Sequence, residues 1–246
     1  MKNNRIEKMA APDFRPLYQQ VHDILKSRLI KGAWKPGDLL PSEFQLADEL
    51  KVSQGTVRKA LDDMVAQNLL VRRQGRGTYV AQHDQQRSLF HFFKLEPDDG
   101  SRRLPTSHVL DIAVGFADPC ECAALNLTAE DQVIRVERMR LMDQRPIMYE
   151  WLSLPQALFP TLITMEQLPN TLYSMYAVDF GITITSAREE LRAVAADEIE
   201  ARHLELPIGA PVLEIKRIAI ALDGRPVELR ISHCNTAAIR YVTELQ

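Results

Sequence analysis

The carboxy-terminal part of the chain repeats itself, and this limits what it can fold into more than any other feature. Thr106–Ser107 recurs at Thr185–Ser186, Ala117–Asp118 at Ala196–Asp197, and Leu125-Asn-Leu127 at Leu204-Glu-Leu206. Val133-Ile-Arg-Val136 recurs at Val212-Leu-Glu-Ile215 and Arg138 at Arg217, all at an offset of 79. Asp143-Gln-Arg-Pro146 matches Asp223-Gly-Arg-Pro226 at an offset of 80, one residue being inserted in the hairpin. Each unit reads as a strand, a short helix (118–125 and 197–204) and a long β-hairpin turning at Asp-x-Arg-Pro. With 154–176 read as a helical segment between them, two such units predict one antiparallel sheet covered by helices, an α+β domain over 105–246.

The first eighty residues follow another pattern. Pro16 opens a run in which Leu17, Val21, Ile24, Leu25 and Leu29 form an apolar stripe, ending at Lys31–Gly32. Ser42 caps a second helix carrying Leu46, Ala47 and Leu50. Ser53 caps a third, in which Val57, Ala60, Leu61, Met64 and Val65 face inward while Gln54, Gly55, Arg58 and Lys59 lie on or beside the other face. A short helix, a tight turn and a longer capped helix make a helix-turn-helix, whose second helix can enter a major groove. Two strands then follow, Leu70–Arg73 and Thr78–Val80, around Gln74-Gly-Arg-Gly77. This is a wing carrying Arg72, Arg73 and Arg76, with Gly77 allowing close backbone approach to phosphate. Its G-x-G opens no helix and is not a nucleotide-binding fingerprint.

Charge divides at the same place. Residues 1–82 hold 14 Lys+Arg against 9 Asp+Glu, net +5; residues 83–246 hold 16 against 24, net -8. The basic part is the one carrying the helix-turn-helix, as a polyanion partner requires. Domains are therefore expected at 12–82 (DNA-binding) and 105–246, with 83–104 as a linker whose Phe90, Phe92 and Phe93 pack on the second domain. No apolar run approaches the length of a membrane span and the start lacks a signal-peptide core, so a cytoplasmic protein without membrane contact is expected. The three cysteines make no disulfide framework. Cys120 and Cys122 fall at the repeat positions of Ile199 and Ala201, inside a helix, and read as core or semi-core residues, not metal ligands. No cofactor, metal or catalytic motif is expected: the chain has no G-x-S-x-G, H-E-x-x-H or P-loop.

The run LPSEFQLADELKVSQGTVRKALDDMVAQNLLVRRQGRGTYV resembles the DNA-binding domain of the GntR family of bacterial transcriptional regulators. The resemblance implies that Thr56 and Arg58 contact the operator, with Arg72, Arg73, Arg76 and Gly77 placing the wing; Ser53, Gln54 and Lys59 complete the expected surface. Phe44 and Gln54 stand where family members often have arginine. The first exchange weakens phosphate anchoring, and the second replaces a guanine-reading fork by an amide suited to adenine. Gly55, often threonine in the family, removes a side-chain contact.

VERMRLMDQRPIMYEWLSLP, LYSMYAVDFGITITSAREEL and DGRPVELR resemble the effector-binding (UTRA-type) domain of the HutC subfamily, a fold shared with chorismate lyase. The function implied is a sequence-specific transcriptional regulator, a repressor released by a small anionic metabolite, working as a homodimer on a palindromic operator. The alternative is a chorismate-lyase-like enzyme acting on an aryl acid. Period two places Arg138 and Arg140 on one strand face with Ile134, Val136 and Met142. Such a pair either clamps a carboxylate or phosphate or belongs to a structural ion-pair network with Glu150 or Glu228. Glu228 and Arg230 share a face with Ser232 and Cys234. In the family the positions of Arg138, Arg140, Glu150 and Glu228 commonly hold the effector. Cys234, Asn235 and Ala237 stand where members often have tyrosine, a basic residue and an acid, which disfavours a hexosamine phosphate and leaves a carboxylate, an amino-acid-derived anion or an aromatic acid.

Overall fold

A computed structural model describes residues 15–81, 93–101, 103–165 and 167–243, in two compact units divided after Ala81. The expected linker packing of Phe90 and Phe92 lies outside the described residues.

The first unit contains α1 (Leu17–Ile30), α2 (Glu43–Leu50), α3 (Gln54–Ala66), β1 (Leu70–Arg73) and β2 (Gly77–Val80). Both helix-turn-helix caps form. The Ser42 hydroxyl accepts from the Gln45 amide while the Gln45 side chain accepts from the Ser42 amide, and Ser53 Oγ accepts from the Thr56 amide at 3.1 Å. Lys51 in the left-handed region ends α2 and makes the turn. The apolar stripes meet in a core of Val21, Leu25, Leu46, Val57, Ala60, Leu61 and Met64. β1 and β2 pair antiparallel, Leu70 opposite Val80, and Leu39 bridges to Tyr79. At Gly77, φ is +110° and a Cβ would come within 2.8 Å of Leu39 Cδ1, so the wing needs glycine there.

The second unit is built on six antiparallel strands: β4 (Thr106–Phe116), β5 (Gln132–Met142), β6 (Arg145–Pro155), β7 (Ile184–Ala195), β8 (Pro211–Ala221) and β9 (Pro226–Cys234). Their order, β4-β5-β6-β9-β8-β7, is that of two three-stranded copies joined through their last strands, β6 and β9. The duplication extends to local detail. Asp118 and Asp197 cap α4 (Pro119–Leu125) and α6 (Glu198–Leu204) with reciprocal Glu121 and Glu200, and both helices end on a left-handed residue, Asn126 and Glu205. Leu125 of α4 packs with Leu229 of β9, in the other copy, and Leu204 of α6 with Tyr149 of β6. Each copy thus completes its partner's core, and neither buries its apolar surface alone.

The opposite face of the sheet, with Ile134, Val136, Leu152, Leu154, Ala219 and Ala221, is covered by α5 (Leu172–Asp179) and the turns leading to it. Here the structure departs from the expected helix over 154–176. β6 runs on to Pro155, two short 3₁₀ turns follow (Gln156–Leu158 and Leu162–Thr164), and α5 starts only at Leu172. Pro155, Pro160 and Pro169 lack the amide a helix needs and hold the residue before them out of helical conformation. A separate two-stranded ribbon pairs β3 (Leu95–Pro97) with β10 (Ile239–Tyr241), so the end of the expected linker already belongs to this unit. No described helix is long and apolar enough to cross a membrane.

Candidate functional site

Two groups of charged side chains stand out, one on the surface of the first unit and one inside the second. On the first, α3 and the wing carry Gln54, Arg58, Lys59, Arg72, Arg73 and Arg76, all exposed. Several are held by neighbours. Lys59 Nζ lies 3.9 Å from the centroid of the Tyr18 ring on α1, and the Arg73 guanidinium lies 4.6 Å from that of Tyr79. The Ser53 and Thr56 hydroxyls bond each other at 2.8 Å. Glu43, the first residue of α2, accepts from Arg58 Nε at 2.9 Å, Arg72 Nη2 at 3.2 Å and Gln54 Nε2 at 3.4 Å. Asp62 also meets Arg72, at 2.8 Å, so a second acid, two turns along α3, takes part in this surface. A groove lined by Ser42–Gln45, Gln54 and the wing residues 72–78 opens here, with Phe44 at its lip 73% exposed.

The second group lies against the sheet. Arg138 and Arg140 on β5, Glu150 on β6 and Glu228 and Arg230 on β9 are all buried and lie in one cluster. Arg138 Nε donates to Glu150 Oε1 in a short hydrogen bond; Arg140 Nη1 lies 3.6 Å from the same oxygen, and Ser232 Oγ donates to Oε2 at 3.0 Å. Arg230 binds Glu228 through two parallel bonds of 3.0 and 2.9 Å, the fork geometry of arginine on a carboxylate. Tyr173 and Tyr176 of α5 donate to the two oxygens of Glu228 at 3.0 and 2.7 Å.

Five participants carried no site assignment from sequence. Arg217 on β8 donates to Glu189 on β7 at 2.6 Å, and Tyr241 on β10 donates to the same carboxylate. Tyr173 and Tyr176 come from a segment where periodicity shows only an apolar helix. A signal existed for Arg217, which is the repeat counterpart of Arg138.

Electrostatics in this interior are unbalanced. Four arginines (138, 140, 217, 230) face three carboxylates (Glu150, Glu189, Glu228). Burial alone would raise the Glu150 carboxyl, but Arg138, Arg230 and Arg140 hold it far below the usual carboxylate range. Burial opposes the ionised form of Glu228 as well, and Arg230 and Tyr176 outweigh it. Arg140 bears the surplus: burial first, and then the neighbouring Arg138 charge, bring its guanidinium down to about 9. Arg140 Nε and Nη2 and Arg138 Nη1 are buried without hydrogen-bond partners. Unpaired buried donors of this kind are costly, the more so when charged. Arg140 lines a cavity of about 20 Å³, space for little more than a water molecule, with Glu150, Arg217, Arg230 and Ser232. Phe93, Lys94, Leu95 and Tyr241 line it together with Met148 and Ile215, the centroid of the Phe93 ring lying 5.7 Å from the Arg140 guanidinium. Chemically, unpaired N–H donors beside an excess of arginine can accept an anion, and β3 and β10 contribute to the wall of the cavity.

The cysteines form no site. Cys122 is part-buried and Cys234 fully buried, its thiol pushed up by burial; Cys120, in the first turn of α4, is exposed, against the expectation of a core or semi-core residue, and its sulfur lies 3.9 Å from Lys216 Nζ. Among the described residues no cluster of His, Cys, Asp or Glu has metal-binding geometry.

Comparison with known proteins gives matches over both units. Residues 17–80 match the family described as bacterial regulatory proteins, gntR family, and residues 100–240 match the UTRA domain. The mannosyl-D-glycerate transport/metabolism system repressor MngR of Escherichia coli is 33% identical over 90% of this chain and 92% of its own. The HTH-type transcriptional repressor NagR of Bacillus subtilis is 30% identical over 87% of this chain and 88% of its own. A crystal structure of the ligand-binding domain of a regulator from Bordetella bronchiseptica, assigned to the GntR family, superposes with a TM-score of 0.58 at 30% identity, covering 63% of this chain and 98% of that one.

Proposed function

Since the chain belongs to the gntR family of bacterial regulatory proteins and carries a UTRA domain, we propose that it is a repressor released from DNA by a small anion. DNA-binding regulation through an effector domain follows from family membership, which sets the chain among regulators and not with the chorismate-lyase enzymes. The finer reading rests chiefly on one observation, the unpartnered N–H groups of Arg138 and Arg140 inside a site with one more cation than anion. A carboxylate or phosphate supplies both the missing acceptors and the missing charge. MngR is named as the repressor of a mannosyl-D-glycerate system, glycerate being a carboxylate, and for this chain we favour a carboxylate.

The cavity is too small for a metabolite while β3 and β10 cover it. An effector therefore enters by displacing Phe93 or Tyr241, and Phe93 stands where the chain arrives from the DNA-binding unit. Ligand affinity for the opened state, and not for the closed one, is what shifts the population. In this reading Arg138, Arg140, Glu150, Glu228 and Arg230 form the effector site, with Arg140 the first contact. Ser53, Gln54, Thr56, Arg58, Lys59, Arg72, Arg73, Arg76 and Gly77 form the DNA surface. One helix and one wing cover little DNA, and a homodimer on a palindrome supplies a second half-site about one helical turn away.

A mobility-shift assay with DNA from upstream of the protein's own gene tests this, repeated with small carboxylates and phosphates added. Expected are a specific shift against a salt-matched nonspecific control, its loss with one class of anion, and light scattering at twice 28.0 kDa. No specific shift, or a shift indifferent to every anion, contradicts the proposal.

A further inference from the structure

Glu43 touches three side chains of the DNA surface just proposed, and it is the only carboxylate among the described residues that joins α2, α3 and the wing. Its contacts to Arg58 and Arg72 bridge 15 and 29 residues of sequence. Acids are unfavourable beside phosphate, so a carboxylate in the middle of this surface demands a reason. The geometry of Arg58 supplies one. A guanidinium offers two edges for paired hydrogen bonds, one through Nε and a terminal nitrogen, the other through both terminal nitrogens. Glu43 Oε2 occupies the first edge, meeting Nε and Nη2 each at 2.9 Å. The second edge stays turned away from Glu43 on a side chain that is half exposed. That is the edge which takes guanine O6 and N7.

We propose that Glu43 is a positioning residue for operator specificity: it fixes the fork of Arg58 for base reading and ties it to Arg72 of the wing. A free arginine on an exposed helix samples many rotamers and satisfies any phosphate within reach; one held along its Nε edge meets a base in a single orientation. Glu43 thereby lowers indiscriminate attraction to DNA and raises discrimination. Being the first residue of α2, it is also favoured by the positive end of that helix, which keeps the carboxylate in place without DNA.

The proposal rests on the DNA-binding role of α3 and the wing, and its test separates the two. Wild-type protein, Glu43→Gln, Glu43→Asp and Arg58→Ala are each used to select sites from a random DNA pool. Each is then titrated against the wild-type site and a scrambled duplex. Gln keeps the size but cannot accept on both oxygens; Asp keeps the charge but falls a methylene short of both arginines. Both should lower the ratio of site to scrambled affinity about tenfold or more, the usual worth of one paired base contact. The base pair that loses preference should be the one that Arg58→Ala also flattens. Glu43→Gln should in addition bind scrambled DNA at least as tightly as wild type, a gain that a merely structural role would not produce. A ratio unchanged in Glu43→Asp leaves only a charge effect and overturns the positioning role. So does a parallel fall on both duplexes accompanied by a lower melting temperature. Wild-type protein that selects no sequence overturns the DNA reading itself, and this inference with it.

Discussion

The α3–wing surface and the interior of the six-stranded sheet are built from the same partnership, arginine with glutamate, at opposite extremes of burial. Arg58 is half exposed on Glu43, while Arg138 is 1% exposed on Glu150. In water such a pair is worth about 0–1 kcal/mol, so it orients the arginine while adding little to the stability of the fold. In the interior the carboxylates are locked by several donors each, while Arg140 keeps two buried N–H groups and Arg138 one without an acceptor, which is where, on the proposed function, an incoming anion gains most. On the proposed function the same chemistry does different work: exposed pairs face DNA, and buried pairs line the effector site.

The sharpest way to break this contrast is Arg138→Ala. Removing one partner of a buried ion pair leaves Glu150 poorly compensated and should cost about 3–5 kcal/mol in the effector unit, read from denaturant unfolding. A change under 1 kcal/mol would place the interior pairs with the surface ones. Acid should act on the same network. Glu150 and Glu228 have folded-state pKa values held below their unfolded ones, so their stabilising contribution is complete above about pH 4.3 and is lost as pH falls through the folded values. Melting followed from pH 7 to 3 should show the effector unit losing stability as the carboxylates protonate; a melt indifferent to pH would mean that they are not held ionised.

The surface should behave in the reverse manner. Arg58→Ala should remove about 1–3 kcal/mol of discrimination at one operator position. Arg76→Ala should weaken binding to all sequences alike and reduce the salt slope by about one. Neither should move unfolding by more than ~0.5 kcal/mol. Loss of stability in either variant would show that the surface arginines hold the fold. Ser53→Ala is a control within the same unit, since it deletes a cap without deleting a charge, and should cost about 1 kcal/mol of stability. Smallest is Phe44→Arg, expected to tighten binding to every sequence modestly and to steepen the salt slope by about one phosphate.

Much of this architecture was legible in the sequence because its signals are local or periodic. Ser42 and Ser53 announce their helices, and the 79-residue offset carries over the capping boxes at Asp118 and Asp197 and both hairpins. Alternation on β5 placed Arg138 and Arg140 on the inner face, where they lie. Apolar periodicity does not show the two 3₁₀ turns that replace a helix after Pro155, because the prolines at 155, 160 and 169 override it. Glu43 was invisible as a hub, since no pattern within one element brings Arg58 and Arg72 to it. The roof of the cavity was equally hidden: Phe93 and Tyr241 lie far apart in sequence and meet only because β3 pairs with β10.

The central claim is that Arg140 binds the anion that ends repression, and Arg140→Met tests it most directly. Methionine fills the space without the unpaired donors, so the variant should fold as well as wild type or better and keep its operator affinity. Operator binding is followed by fluorescence anisotropy while the small anions that release the wild-type protein are titrated in. The account predicts that Arg140→Met stays on the operator at anion concentrations that free the wild type completely. Release of both proteins over the same concentration range would contradict it.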